Sequence, residues 1–253
     1  MKPPKSSKNR FYHLQDLPEI QDGAVFLADS HFFPNDQKAH RLFDQWLEHP
    51  PSQIFLMGDI FHLLIPHISS SLKEHKTLLY KINSLSQKTQ LFYFEGNHDF
   101  GFSHHHLPHA FLYPRILQPA SFKFQDQVFL LAHGDLFISW FYEFYIQSIS
   151  SAPFLSFFRI LDYLTFGKLY QKIAQKVFKK PIKPLVPSQH FISNRINQYQ
   201  SHCQGIEFNQ ILEGHFHSDL NHFSPTIQYT AIPSFFCQKS YLQITKNGFY
   251  RLF

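Results

Sequence analysis

Five near-continuous apolar runs punctuate the chain: AVFLAD (24–29), QIFLMGD (53–59), QLFYFEG (90–96), VFLLAHG (128–134) and FNQILEG (208–214). Short runs with so little polar alternation are expected of strands buried on both faces. Between the first three, the apolar spacing changes to that of a helix. Leu42, Phe43, Trp46 and Leu47 make one face of 37–48, and Leu72, Leu79, Ile82 and Leu85 make one face of 71–88. Strands alternating with helices predict an α/β fold. The end of the chain, SYLQITKNGFYRLF, reads as a hairpin turning at KNG (246–248). Residues 136–202 break the rhythm, with a long, helical and very aromatic pattern between two of the strands. The expected organisation is an N-terminal extension (1–23), a core (24–135 and 203–253) and a helical cap inserted at 136–202.

The residues at the end of each apolar run matter more than the runs themselves. LADSH brings Asp29 and His31, and LMGDIFH brings Asp59 and then His62. FEGNHD carries Asn97, His98 and Asp99, LAHGD carries His133 and Asp135, and LEGHFH carries His215 and His217. A single Gly-Asp is turn chemistry, and a lone buried His is commonly a satisfied core residue. Repetition at five successive strand ends is different, because sites in α/β folds are built at the carboxyl ends of strands. Carboxylates, an amide and imidazoles without a thiolate form a metal-ligand set of hard to borderline character. The pattern predicts a dinuclear metal site. His62 and Glu95 lie close to the ligands in sequence and are expected to support them structurally.

Composition narrows the class. With 43% hydrophobic and only 16% charged residues, the 253-residue chain is that of a folded globule with a sizeable core. The 31 Phe must be buried somewhere or offered to something apolar. A formal net charge of +5 favours anionic partners. Cys203 and Cys237 have no zinc-type spacing, which points to a reducing compartment. The basic start MKPPKSSKNR leads into no apolar segment of a signal peptide, and no run reaches the roughly 18 apolar residues of a membrane span. The expected location is the cytoplasm, with peripheral contact to a membrane. That contact rests on the insert. Lys168, Lys172, Lys176 and Lys180 recur every fourth residue beside the apolar Leu169, Ile173 and Val177, and an aromatic helical segment precedes them. The alternative is a cap that packs its own aromatics and leaves its lysines solvated.

The order D-x-H, G-D, G-N-H-D, H-G-D, G-H-x-H resembles the calcineurin-like metallophosphoesterase superfamily, with every element of its motif intact. The resemblance implies a sandwich of two β-sheets flanked by helices. It implies that Asp29, His31, Asp59 and His217 hold one metal and that Asp59, Asn97, His133 and His215 hold the other, with Asp59 bridging. Two divalent ions about 3.5–4 Å apart clamp a phosphate and lower the pKa of a bound water to about 7. His98 would be catalytic and not a ligand, with Asp99 orienting its ring. Mn2+ is the expected metal, and Mg2+, Fe2+, Co2+ and Zn2+ accept the same donors.

The position of the insert is similar to that in the UDP-2,3-diacylglucosamine pyrophosphatases of lipid A biosynthesis, whose helical cap encloses acyl chains. This implies a nucleotide-linked glycolipid substrate, contact with the cytoplasmic face of the inner membrane, and no nucleic-acid partner. Tyr142, Tyr145, Lys168, Lys172 and Lys176 are the substrate-binding candidates. Two departures keep other classes open. Many members of that family have Arg where this chain has His98, and the Asp/Tyr segment expected after H-G-D is represented by LFISWFYEFY, which has no Asp. A generic phosphodiesterase or nuclease would share all the metal ligands, and a non-catalytic scaffold of the same fold is the remaining alternative. Oligomeric state is not legible.

Overall fold

The computed structural model describes residues 17–223 and 226–253. The expected N-terminal extension therefore lies outside the described residues as far as position 16. The first three apolar runs form β1 (Val25–Leu27), β2 (Gln53–Met57) and β3 (Gln90–Phe94), joined through α1 (Gln37–Glu48) and α2 (Ser69–Lys88). α1 starts where the Asp36 side chain accepts hydrogen bonds from the Lys38 and Ala39 amides. Then come β4 (Phe111–Tyr113), β5 (Ala120–Phe124), β6 (Gln127–Ala132) and β7 (Gln210–Glu213). The chain ends through β8 (Leu220–Phe223), β9 (Gln228–Ala231), β10 (Tyr241–Thr245) and β11 (Gly248–Leu252).

These strands make two sheets, ordered β11-β10-β1-β2-β3-β4 and β5-β6-β7-β9-β8. β1 to β4 run parallel, as do β6, β7 and β9, and antiparallel strands close every edge but that of β4. This is the two-sheet α/β architecture expected from the sequence. The predicted hairpin joins β10 to β11, with Thr245 paired to Gly248.

Alternation along the strands sorts the core into layers. Val25, Leu27, Ile54, Leu56, Leu91 and Tyr93 pack against α1 and α2. Phe26, Phe55, Phe92 and Phe94 point the other way, against Phe122, Phe129 and Leu131 of the second sheet. Register lines up Phe26, Phe55, Phe92 and Phe111 across four strands. Their rings stack at 4.5, 4.6 and 5.0 Å between centroids. Each such pair contributes about 0.5–1.5 kcal/mol beyond its buried area, so part of the phenylalanine excess acts as a ladder between the sheets.

The insert contributes α3 (Trp140–Ile149), α4 (Ala152–Leu164), α5 (Lys168–Phe178) and α6 (Gln189–His202). The four behave differently. Ile192, Ile196 and Tyr199 of α6 pack on Leu130, Ile211 and Tyr229, so α6 forms the outer layer of the second sheet. α5 meets the core through Tyr170 and Ala174 against Leu63 and Ile68. The helices standing over the strand ends are α3, α4 and α5. No helix among the described residues is long and apolar enough to cross a membrane.

Candidate metal centre and adjoining cavity

All seven expected ligands converge where strands of both sheets end. Asp29 and His31 follow β1, Asp59 follows β2, Asn97 follows β3, His133 follows β6, and His215 and His217 follow β7. Five of them, Asp29, His31, Asp59, His215 and His217, have φ between 44° and 69°. Side chains rarely adopt this left-handed region, at a cost of roughly 1–3 kcal/mol each, and such strain collects at functional sites. Two glycines make the crowding possible. A Cβ on Gly58 would lie 2.4 Å from His133 Nδ1, and one on Gly96 would lie 2.2 Å from Asp59 Oδ1.

Donor atoms of Asp29, His31 and His217 lie within 4.8 Å of one another, as do those of Asp59, His133 and His215. His31 and His217 bring their Nε2 atoms to 3.2 Å. His217 Nε2 is 3.6 Å from Asp29 Oδ1. Asp59 Oδ2 stands 3.8 Å from His31 Nε2 and 3.6 Å from His133 Nε2, between the two groups. Asn97 Oδ1 is 3.3 Å from His133 Nε2, which ties it to the second group. His133 Nδ1 sits 3.0 Å from the Met57 carbonyl and donates to it, so Nε2 is the ring atom left to face a cation.

The electrostatics fit two cations. Asp29 Oδ1 is buried with no hydrogen-bond partner. Burial, with Asp59 adding to it, pushes the Asp29 carboxyl far above its ordinary range. Burial acts against ionised Asp59 too, but His133, His98, His31 and His215 outweigh it and hold Asp59 low. Burial lowers His133, yet Asp59, Asp29 and Asp135 raise it to about 9. Burial keeps His31 and His215 well below the ordinary histidine value and takes His217 to about 4. Neutral imidazoles such as those of His31, His215 and His217, together with crowded carboxylates, are the forms that divalent ions bind, whereas His133 would give up a proton to a cation.

His98 stands beside this centre. Its ring lies 4.9 Å from that of His31, and its Nδ1 is 2.7 Å from the His62 carbonyl. That carbonyl can only accept, so Nδ1 is protonated and Nε2 is free to act. Here the expectation for Asp99 fails. Asp99 does not orient the His98 ring, because its carboxylate is occupied by the amides of Asp59, Ile60, Phe61 and Gly96 and by the Tyr93 hydroxyl. Five donors around one buried carboxylate make it the organiser of the loop that carries Asp59. The residue that holds the His98 ring is His62, through its backbone. Glu95 is structural, accepting from the Gly101 and Phe102 amides, and burial raises it to about 7.

Asn97 and His98 also line a cavity of about 380 Å³ that extends beneath the cap. Its other walls are mainly apolar, among them Leu63, Ile146, Leu155, Phe158 and Ile173. Tyr142 and Tyr145 line it as well. The Tyr142 hydroxyl is buried without a partner, and its ring lies 6.3 Å from His215. The lysine row is elsewhere. Lys168, Lys172 and Lys176 are exposed and none lines the cavity, whereas Lys180 does. Leu169, Ile173 and Val177, on the adjoining face of α5, supply that wall.

Sequence reasoning missed the groups that brace the loops. Gln118 Oε1 accepts from the His133 amide, while its Nε2 donates to the Glu95 and Tyr113 carbonyls. Arg195 donates to both oxygens of Glu213 and to the carbonyls of Gly134 and Leu136. Glu213, a carboxylate inside an apolar run, was the visible clue, since a buried charge requires a partner.

No family model and no curated protein matches the sequence. Among solved structures, the fold is similar to an archaeal phosphodiesterase, 8% identical over 90% of this chain and 98% of that one, with a TM-score of 0.46. It is also similar to a predicted phosphoesterase of Streptococcus pneumoniae, 12% identical over 90% and 95% of the two chains, with a TM-score of 0.40. A dimetal phosphatase of Danio rerio is 12% identical over 88% and 92%, with a TM-score of 0.40. The chemistry of the site is therefore read from its own residues.

Proposed function

We propose that this chain is a dinuclear metal-dependent phosphoesterase of the calcineurin-like kind. Its proposed substrate is UDP-2,3-diacylglucosamine, cleaved to UMP and 2,3-diacylglucosamine 1-phosphate. The observation that carries the reading is the continuity of two environments. A candidate two-cation centre and a mainly apolar cavity under α3–α5 share the residues Asn97 and His98.

In this reading Asp29, His31, Asp59 and His217 hold one cation, and Asp59, Asn97, His133 and His215 hold the other. When bound, the pair neutralises phosphate charge and makes water a nucleophile at neutral pH. The protein's own groups do the rest. One water is consumed and one P–O bond of the diphosphate breaks. His98, held by the His62 carbonyl, presents Nε2 to the phosphoryl oxygens and can pass a proton to the departing phosphate. The cavity walls take the acyl chains, each buried methylene adding roughly 0.8 kcal/mol of binding. Contact with an anionic membrane is supported by the surface of the same helices. Trp140, Phe141, Tyr163 and Phe166 are largely exposed on and just beyond α3 and α4, and Lys168, Lys172 and Lys176 of α5 are exposed as well.

The test is hydrolysis by the Mn2+-loaded protein of UDP-2,3-diacylglucosamine, its deacylated analogue and a plain phosphodiester. The expected order is acylated substrate far ahead of the other two. Equal rates on all three would return the protein to the generic phosphodiesterases, and no hydrolysis of any would remove the enzyme.

A further inference from the structure

Outside the metal centre, an ionic cluster of one arginine and two acids joins the cap to the core. Arg115, in the short 3-10 turn after β4, reaches two acids at once. Its Nε donates to Asp135 Oδ2 at 2.7 Å and its Nη2 to the Asp135 carbonyl at 2.9 Å. The same guanidinium meets Glu143 of α3 through two further bonds, Nη1 to Oε2 and Nη2 to Oε1, both 2.8 Å. Glu143 Oε1 also accepts from the Phe137 amide, at the root of the cap. A forked arginine satisfied by two carboxylates fixes direction as well as distance, which a single point charge does not.

The two ends of this clasp are unequal in function. Asp135 lies two residues after His133, within the loop that delivers a candidate ligand. Glu143 lies beside Tyr142, and α3 also supplies Tyr145, Ile146 and Ile149 to the cavity wall. α3 has little else to hold it, since Ile146 is its only buried side chain. Most of its aromatic surface, including Trp140 and Phe144, faces outward. With one buried side chain on α3, the forked clasp is the contact that fixes the direction of the helix.

We infer that Arg115 and Glu143 are positioning residues that set α3 over the metal centre and so determine which substrates the cavity accepts. The inference rests on the phosphoesterase reading for its kinetic consequence. Its structural content, that one ion pair orders α3, stands without it. Neither residue touches the reacting atoms. Their effect belongs to substrates that fill the cavity and not to small diesters that reach only the metals.

Glu143→Ala is the discriminating variant, because it frees α3 while Arg115 keeps its bonds to Asp135. With Mn2+-loaded protein, KM for the long-chain glycolipid should rise at least tenfold. Turnover of bis(4-nitrophenyl) phosphate and the bound metal per chain should stay within twofold of wild type. Hydrogen exchange supplies a readout that needs no activity, and amide protection over 140–149 should fall at least tenfold while β6 keeps its protection. Arg115→Lys, which restores charge without the fork, should fall between wild type and Glu143→Ala. Equal loss on both substrates would mean that the cluster serves the metal loop and would overturn the inference. Unchanged protection of α3 would overturn it as well. A wild-type protein that cleaves neither substrate would sink the phosphoesterase reading alone, and the exchange result would still decide whether the clasp holds α3.

Discussion

Asp59 and His98 illustrate how neighbouring residues in one site can be told apart by experiment. Asp59 Oδ2 stands between the two ligand groups, so Asp59→Ala should abolish activity and lower bound metal, read by elemental analysis of the purified protein. His98 is held from the far side of its ring and leaves Nε2 free. His98→Ala should keep both metals and reduce kcat by about 10²–10⁴-fold. Loss of metal in the His98 variant would reverse the two roles. Away from the site, burial lowers His75 to about 4, and its ring packs edge-on against Phe61 at 5.0 Å. Its folded pKa lies below its unfolded value of about 6.5, so the unfolded chain binds the extra proton. Stability from this residue is complete above about pH 6.5 and is lost as pH falls toward 4, by roughly 3 kcal/mol in all. Denaturant midpoints measured across that window should slope less steeply in His75→Leu.

At the scale of elements, strands and ligands were legible together, because both signals are local. A run such as LADSH states its burial and its chemistry within five residues. Partners distant in the chain were not legible. Asp99 sits next to His98 in sequence yet serves the loop after β2, since its five donors come mostly from residues about forty positions away. The allegiance of α6 was hidden for the same reason. Its helical pattern was visible, but whether it covered the site or the sheet depended on Arg195 finding Glu213. That pair is almost wholly buried, with Tyr199 and Tyr229 also donating to Glu213. Arg195→Met should therefore leave an unpaired buried carboxylate and destabilise the protein by about 3–5 kcal/mol, measured by urea unfolding. A loss below about 1 kcal/mol would show that the pair is dispensable.

Over the whole molecule, charge and apolar surface are distributed unevenly. The lysines of α5 lie outside the cavity, so their proposed task is with a surface and not with the reacting phosphate. Replacing Lys168, Lys172 and Lys176 together by Gln should weaken binding to vesicles of anionic phospholipid several-fold, by sedimentation, while hydrolysis of a soluble diester is unchanged. Unaltered vesicle binding would take the membrane out of the description of this protein. The two ligand groups have a further property at this scale, since each draws on both sheets. Asp29 and His31 come from the first and His217 from the second, and Asp59 from the first meets His133 and His215 from the second. Bound cations would then act as cross-links between the two halves of the sandwich, tightening it by an amount set by their concentration over their dissociation constants. Chelation should lower the melting temperature, and metal affinity becomes a gauge of how well the halves fit. Phe122, wedged between the sheets against Phe55 and Phe92, is the place to turn that gauge. Phe122→Leu should weaken metal binding while the protein is still folded, although the residue touches no ligand.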